Sequence, residues 1–276
     1  DVFTDTPFGG NQLAVFPDAS AIAEDQLQPI AREFNFSEVT FVYTPADPGH
    51  TAKVRIFTPT MEIPFAGHPT IGTAIALHDQ GHSGAMIFEL GVGPIQCDFV
   101  DGKASFTIAA PFERLASPEQ DLVAAALGLP TDAIQTDTHA PVQGSVGLPF
   151  VLVELTDKAQ LSACAPSLDH IRQGAALYPA GLDFAIFAYV RKGQRIDARM
   201  FAPLDNIPED PATGSASAAL AALLTEELAR DLHLNILQGE AMGRPSYITA
   251  KTRHANPVPV TICGQAVRVM EGKLMV

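Results

Sequence analysis

At 276 residues the chain is long enough for about two domains of ordinary size. With 47% hydrophobic and 17% charged residues it can bury a core, which excludes a disordered chain. A net charge of −14 leaves nothing to neutralise phosphates, so nucleic acid and anionic membrane surfaces are excluded as partners. No apolar run reaches the length of a bilayer span, and the opening residues show no basic-then-apolar leader. The expectation is a cytoplasmic protein whose first residue or residues precede Asp1. Cys97, Cys164 and Cys263 form no C-x-x-C pair, so they read as small buried hydrophobes, without disulfide or zinc.

In chain order, a strand is expected over 13–16, after the Gly9-Gly10-Asn11 turn. Leu27, Ile30, Ala31 and Phe34 mark one face of a helix over 24–34, and Pro29 implies a kink or a later start. Strands follow at 39–43 and 53–57, the second alternating polar and apolar residues. A small, apolar helix runs from Pro69 to about 79, and Gly81 stops it. Three strands come next, two of them (95–100 and 103–108) joined by the hairpin signal Asp101-Gly102.

Residues 111–118 read as a linker. Ser117, Pro118 and Gln120 then suggest a capped helix ending at Gly128. Strands are expected at 150–155, 184–190 and 196–201, and an Ala-rich buried helix from Pro211 to about Arg230. The chain finishes with strands at 246–250, 258–262 and 266–270 and a short one near the end. Strands and helices do not alternate strictly, so an α+β architecture with sheets curled around helices fits better than a Rossmann sheet.

The sequence also repeats itself. Arg55-Ile56-Phe57-Thr58-Pro59 recurs as Arg199-Met200-Phe201-Ala202-Pro203, 144 positions on, and Ile63-Pro64 as Ile207-Pro208. After a slip of two residues, His68 falls on Asp210, Pro69 on Pro211, Gly72 on Gly214 and Thr73 on Ser215. One repeat of this length means two copies of a domain rather than a solenoid.

Each copy would start a helix, where unpaired N–H groups and a partial positive charge favour an anion. Two such starts facing each other across a cleft would hold a carboxylate or a developing enolate. His68 and Asp210 would flank it as proton carriers. Alone, each reads as an ordinary helix cap; at matched places in two repeats they point to function. Glu38 opens an apolar strand, where burial would raise its pKa towards that of a general base; the plain alternative is a surface carboxylate. Phosphate-loop, zincin and nucleophile-elbow motifs are absent, and Gly91-Val92-Gly93 lacks the third glycine of a dinucleotide fingerprint.

Four segments, Asp1–Phe16, Asn35–Val42, Arg55–Ala76 and Arg199–Leu223, together resemble the PhzF-like family of phenazine-biosynthesis isomerases. They carry VFTDTPFGGNQLAVF, FSEVTFV, FAGHPTIGTA and DPATGSASAAL, in the family's order. The resemblance implies a diaminopimelate-epimerase-like α+β fold of two pseudo-symmetric domains, each a curled mixed sheet around a central helix. Residues 1–113 plus 265–276 would form the first domain and 114–264 the second, with the active site in the cleft between them.

It also implies a homodimer and a proton shift on a small anionic carboxylic acid, as in trans-2,3-dihydro-3-hydroxyanthranilate isomerisation, with neither metal nor cofactor. Glu38 would be the general base and acid, His68 and Asp210 the assisting pair, and Gly67, Gly214 and Ser215 the substrate-holding helix-start groups. Relatives of this fold that racemise by paired thiols resemble a pattern with Cys at both helix starts, which is not found here. Gln12 stands where Pro is common after Gly-Asn, which bears on a turn alone. Two other functions remain open from the residues: a non-catalytic metabolite-binding protein, and a lyase or dehydratase on the same scaffold.

Overall fold

The computed structural model describes residues 1–275. They fall into two compact units, Asp1–Thr107 with the residues from Cys263 onward, and Ile108–Ile262.

Unit 1 comprises β1 (Leu13–Phe16), α1 (Leu27–Phe34), β2 (Glu38–Tyr43), β3 (Ala52–Phe57), β4 (Glu62–Ile63), α2 (Gly67–Asp79), β5 (Met86–Leu90), β6 (Gly93–Val100) and β7 (Lys103–Ile108). Its sheet runs β1-β2-β3-β5-β6-β7, with β4 paired to β3. The β1–β2 and β3–β5 pairs are parallel and the β2–β3, β5–β6 and β6–β7 pairs antiparallel. A 3-10 turn over Glu24–Gln26 precedes α1, and Pro29 sits in the helix's first turn, where its missing N–H costs nothing. Asp101 and Gly102 both take positive φ (53° and 73°), as a two-residue hairpin loop requires.

Unit 2 comprises β8 (Glu113–Ala116), α3 (Gln120–Ala126), β9 (Val142–Ser145), β10 (Pro149–Glu154), α4 (Lys158–Ala163), α5 (Leu168–Leu177), β11 (Ile186–Lys192), β12 (Arg195–Ala202), β13 (Ile207–Asp210), α6 (Gly214–Leu228), β14 (His233–Gln238), β15 (Ser246–Thr252) and β16 (Val260–Gly264). The strand order is β16-β15-β14-β12-β11-β10-β9-β8, with β13 paired to β12. The parallel pairs are β10–β11 and β12–β14, and β11–β12 and β14–β15 are antiparallel. Strand for strand this is the topology of unit 1, extended by β8, β9 and extra helices. Both units are α+β.

Each unit is centred on a helix that is buried almost all round: α2 buries Ile71, Ala74 and Leu77, and α6 buries every residue from Ala216 to Thr225. Such helices lack a polar face, so burial against the sheet holds them; each fully buried Ile or Leu contributes about 1.5–3 kcal/mol.

Several expectations are corrected. The presumed linker contains strand β8, because Glu113–Ala116 pairs with β9. Helix α3 has Glu119 at its N-cap with no side-chain cap, so the Ser117–Gln120 capping box does not form. No strand covers 266–270. Ala266 makes only a bridge to Val2, and Val267 N–H donates to Asp1 O at 2.9 Å, which ties this segment to unit 1. Strands β9 and β14 and helices α4 and α5 were not expected.

The repeat is real, but its register differs from the one read in the sequence. Phe57 pairs with Val39 and Phe201 with Ile186, so β3 and β12 do match at 144 positions. Beyond them unit 2 carries three more residues, and the match moves to 147 positions. Three observations fix this. Glu62 makes a two-oxygen pair with Arg55, and Glu209 the same pair with Arg199. Ile63 is the partner of Ile56, and Asp210 the partner of Met200. Both central helices begin at a glycine, Gly67 and Gly214. Asp210 therefore corresponds to Ile63, Pro211 to Pro64, and Ser215 to His68.

Candidate active site

In unit 1 the sequence delivers Glu38 as the first residue of β2 and His68 as the second residue of α2. Gly72 brings them together. A Cβ there would lie 2.5 Å from Leu13 Cδ2 and 2.7 Å from Val2 Cγ2, so a larger residue would have to push both side chains aside where α2 comes close to β1. A hydroxyl pair, Thr73 Oγ1 donating to Thr40 Oγ1 at 3.0 Å, fastens the same helix to β2. The turn before β1 is equally tight: Gly10 has φ +63°, and a Cβ would meet Val2 O. Buried Asn11 accepts a 2.9 Å hydrogen bond from Ser37, next to Glu38.

The result is a carboxyl–imidazole pair. His68 Nε2 lies 3.4 Å from Glu38 Oε2, with the two side chains 5% and 14% exposed. Burial pushes the His68 pKa down to about 3, and a ring hydrogen bond to the Gln12 backbone only partly opposes this. At neutral pH the contact is therefore between a carboxyl group and a neutral imidazole, although its distance falls within ion-pair range. Because the Gln12 bond favours the protonated ring, its acceptor is the main-chain carbonyl and the ring nitrogen donates. Nε2 has no hydrogen-bond partner, so the bonded nitrogen is Nδ1 and Nε2 presents its lone pair towards Glu38. A proton arriving on Oε2 would turn two facing acceptors into a donor and an acceptor.

In unit 2 Asp210 ends β13 and is 5% exposed. Its Oδ2 accepts from Thr213 Oγ1 at 2.5 Å. Gln238, fully buried at the end of β14, accepts from Thr213 N at 3.0 Å and donates to Asp210 O at 2.7 Å and to Thr213 Oγ1 at 3.0 Å. Gly239 follows at φ +77°, and a Cβ there would stand 2.7 Å from Pro211 O. Gly214 is buried and Ser215 half-buried at the start of α6.

Glu38 and His68 thus share one site in unit 1, with Gly67 beside them in the chain. Asp210, Gly214 and Ser215 share one stretch in unit 2. Thr213 and Gln238 had not been singled out. The available signal was Gln238-Gly239 at a strand end, the counterpart of Leu90-Gly91. Neither helix start is a cysteine: Cys97 is on β6, Cys164 follows α4 and Cys263 is on β16. Among the described residues no three His, Cys, Asp or Glu side chains stand together as metal ligands, and no helix is long and apolar enough to cross a membrane.

Two like α+β units, each with a buried central helix, define the diaminopimelate-epimerase-like class. The hydroxyproline epimerase of Agrobacterium vitis shares that fold at TM-score 0.52 and 14% identity, covering 83% of this chain and 71% of its own. Within the class, the family model described as PhzC-PhzF, phenazine biosynthesis-like protein, matches residues 1–272, and the chain belongs to that family. The PhzF-family protein of Bacillus anthracis has TM-score 0.87 at 22% identity, covering 100% of this chain and 97% of its own. The chain is also 35% identical to the trans-2,3-dihydro-3-hydroxyanthranilate isomerase of Pseudomonas aeruginosa, over 99% of this chain and 96% of that protein.

Proposed function

We propose that the chain shifts a proton within a small carboxylic acid, with Glu38 taking the proton from carbon and redelivering it. The chain is an isomerase of the PhzF type, as the isomerase named above indicates. One observation carries the proton-shift reading: His68 Nε2 lies 3.4 Å from Glu38 Oε2 in a buried setting that keeps the imidazole neutral.

As Glu38 removes a C–H proton, the C–H electron pair passes into the conjugated acid as an enolate. The new carboxyl O–H then finds an acceptor in His68, which stabilises the intermediate without a second charge. Return of a proton from Glu38 to another carbon, after its carboxyl O–H has exchanged with solvent, leaves an isomer with no net gain or loss of atoms. Asp210 is assigned to assist the proton movement. Backbone N–H groups at Gly67, Gly214 and Ser215 suit a carboxylate or enolate oxygen, because helix starts favour negative charge.

Trans-2,3-dihydro-3-hydroxyanthranilate is the first substrate to offer, in deuterated water, followed by proton NMR. The wild type is expected to convert it with deuterium entering the product, and Glu38→Gln to do neither while keeping its fold. Exchange that persists in Glu38→Gln would sink the assignment of the base.

A further inference from the structure

We propose that Gln238 is a positioning residue that acts through Thr213, aiming the Thr213 hydroxyl at Asp210 Oδ2 and holding that oxygen as a hydrogen-bond acceptor. This deepens the proposed function and rests on its assignment of Asp210 to proton movement.

The amide orientation is settled by the main chain. Thr213 N–H can only donate, so the Gln238 atom 3.0 Å from it is the oxygen. Asp210 C=O can only accept, so the Gln238 atom 2.7 Å from it is the nitrogen. That nitrogen also lies 3.0 Å from Thr213 Oγ1 and, being a donor only, occupies one of the hydroxyl's lone pairs. The single hydroxyl proton is then directed to Asp210 Oδ2, 2.5 Å away. Glutamine has both a donor and an acceptor at the required spacing, and here both are used.

Its burial makes the arrangement strict. Gln238 and Asp210 are 0% and 5% exposed, so water does not substitute for a lost partner cheaply. Gly239 sets the position: it turns the chain at φ +77°, and its missing Cβ leaves space that Arg244 O and Pro211 O occupy. Unit 1 provides a built-in control. The β5 residue that matches Gln238 is Leu90, and Leu90 is likewise followed by a glycine packed against a proline (Gly91 on Pro64). The backbone turn therefore needs the glycine and the proline, but not the amide. An amide is needed only where the next loop carries a carboxylate.

The test is the titration of Asp210, followed by carbon NMR of aspartate-labelled protein and assigned with Asp210→Asn. Thr213→Val removes the relayed proton and leaves the Gln238 bonds to the main chain. Gln238→Leu installs the unit 1 residue. Each is expected to raise the Asp210 pKa, since a hydrogen bond to the charged form is lost. Thr213→Ser should restore the wild-type value. Turnover should fall roughly 10- to 100-fold at unchanged KM, with the acid limb of the pH profile moving upward alongside the titration. Thermal midpoints check that the variants fold. If Thr213→Val folds and Asp210 titrates as in the wild type, the relay is wrong. If the titration moves and turnover does not, the relay stands and the role given to Asp210 falls.

Discussion

The two units share a scaffold and differ in what they place on it. Some pairs recur almost unchanged. Arg55 clasps Glu62 and lies 5.1 Å over Phe57; Arg199 clasps Glu209 and lies 4.8 Å over Phe201. Gly91 lies against Pro64 and Gly239 against Pro211. These pairs fix the backbone on either side of the central helix, and that is what the copies conserve.

Elsewhere, matched positions exchange polar for apolar chemistry. Thr40 and Thr73 share a buried hydrogen bond, and their matches are Phe187 and Leu220, equally buried. His78 stacks on Phe99 with ring centroids 3.6 Å apart; its match is the Thr225–Thr252 hydroxyl pair at 2.6 Å. Glu38 matches Ala185, His68 matches Ser215, and Ile63 matches Asp210. The fold asks for volume and backbone geometry at these places; the side-chain chemistry is free to differ.

The largest expected effect follows from the most unequal match. Glu38→Ala gives unit 1 the residue that unit 2 already has. Turnover should fall by about 10²–10⁴-fold, the usual contribution of a positioned acid–base group. Stability should not fall, because a half-buried carboxyl is removed. Paired kinetics and urea unfolding check both halves of this expectation, and a large loss of stability would mean that Glu38 is structural.

Next comes the shared turn. Gly239→Ala meets positive φ and two carbonyl oxygens, so a loss of about 3 kcal/mol or more is expected. Gly91→Ala meets only Pro64, at 2.7 Å, without a positive φ, and should lose roughly 1–3 kcal/mol. Equal losses would show that the two turns are not under the different constraints their geometry implies.

A third effect belongs to unit 1 alone. Burial holds the His68 pKa below its ordinary 6.5, so the unfolded chain binds this proton first as pH falls. The stabilising contribution is complete above pH 6.5 and is lost as pH falls towards about 3. His68→Gln should flatten the stability profile in that window by about 1.4 kcal/mol per pH unit relative to wild type. Denaturant midpoints at a series of pH values give the slope, and parallel profiles would overturn the buried, neutral state of His68.

The strands at 13–16, 39–43 and 53–57 were legible because local alternation and β-branched content suffice there. So were both central helices, which a run of small apolar residues announces. Glu38, His68 and Asp210 stood out as ionisable groups in apolar or glycine-rich surroundings. The register of the repeat was harder, because prolines and glycines recur for unrelated reasons. Pro69 serves a first helical turn, whereas Pro211 fills the space beside a glycine, as Pro64 does. Only strand pairing tells these uses apart. Gln238 was hidden for a similar reason: its meaning lies in three partners at positions 210 and 213, which β14 meets only after folding.

The smallest effect is also the sharpest test of how the units differ. Thr40 and Thr73 are fully buried, with the Thr73 hydroxyl donating to the Thr40 oxygen. Thr73→Val alone leaves the Thr40 hydroxyl without this partner and should lose about 1–3 kcal/mol. Replacing both by Val removes the need for a partner, as Phe187 and Leu220 do in unit 2, and should recover most of that loss. A double-mutant cycle by urea unfolding should therefore give a coupling of roughly 1 kcal/mol or more. Additive losses would mean that the two hydroxyls act independently, so that their mutual hydrogen bond does not explain why unit 1 keeps a polar pair where unit 2 has an apolar one.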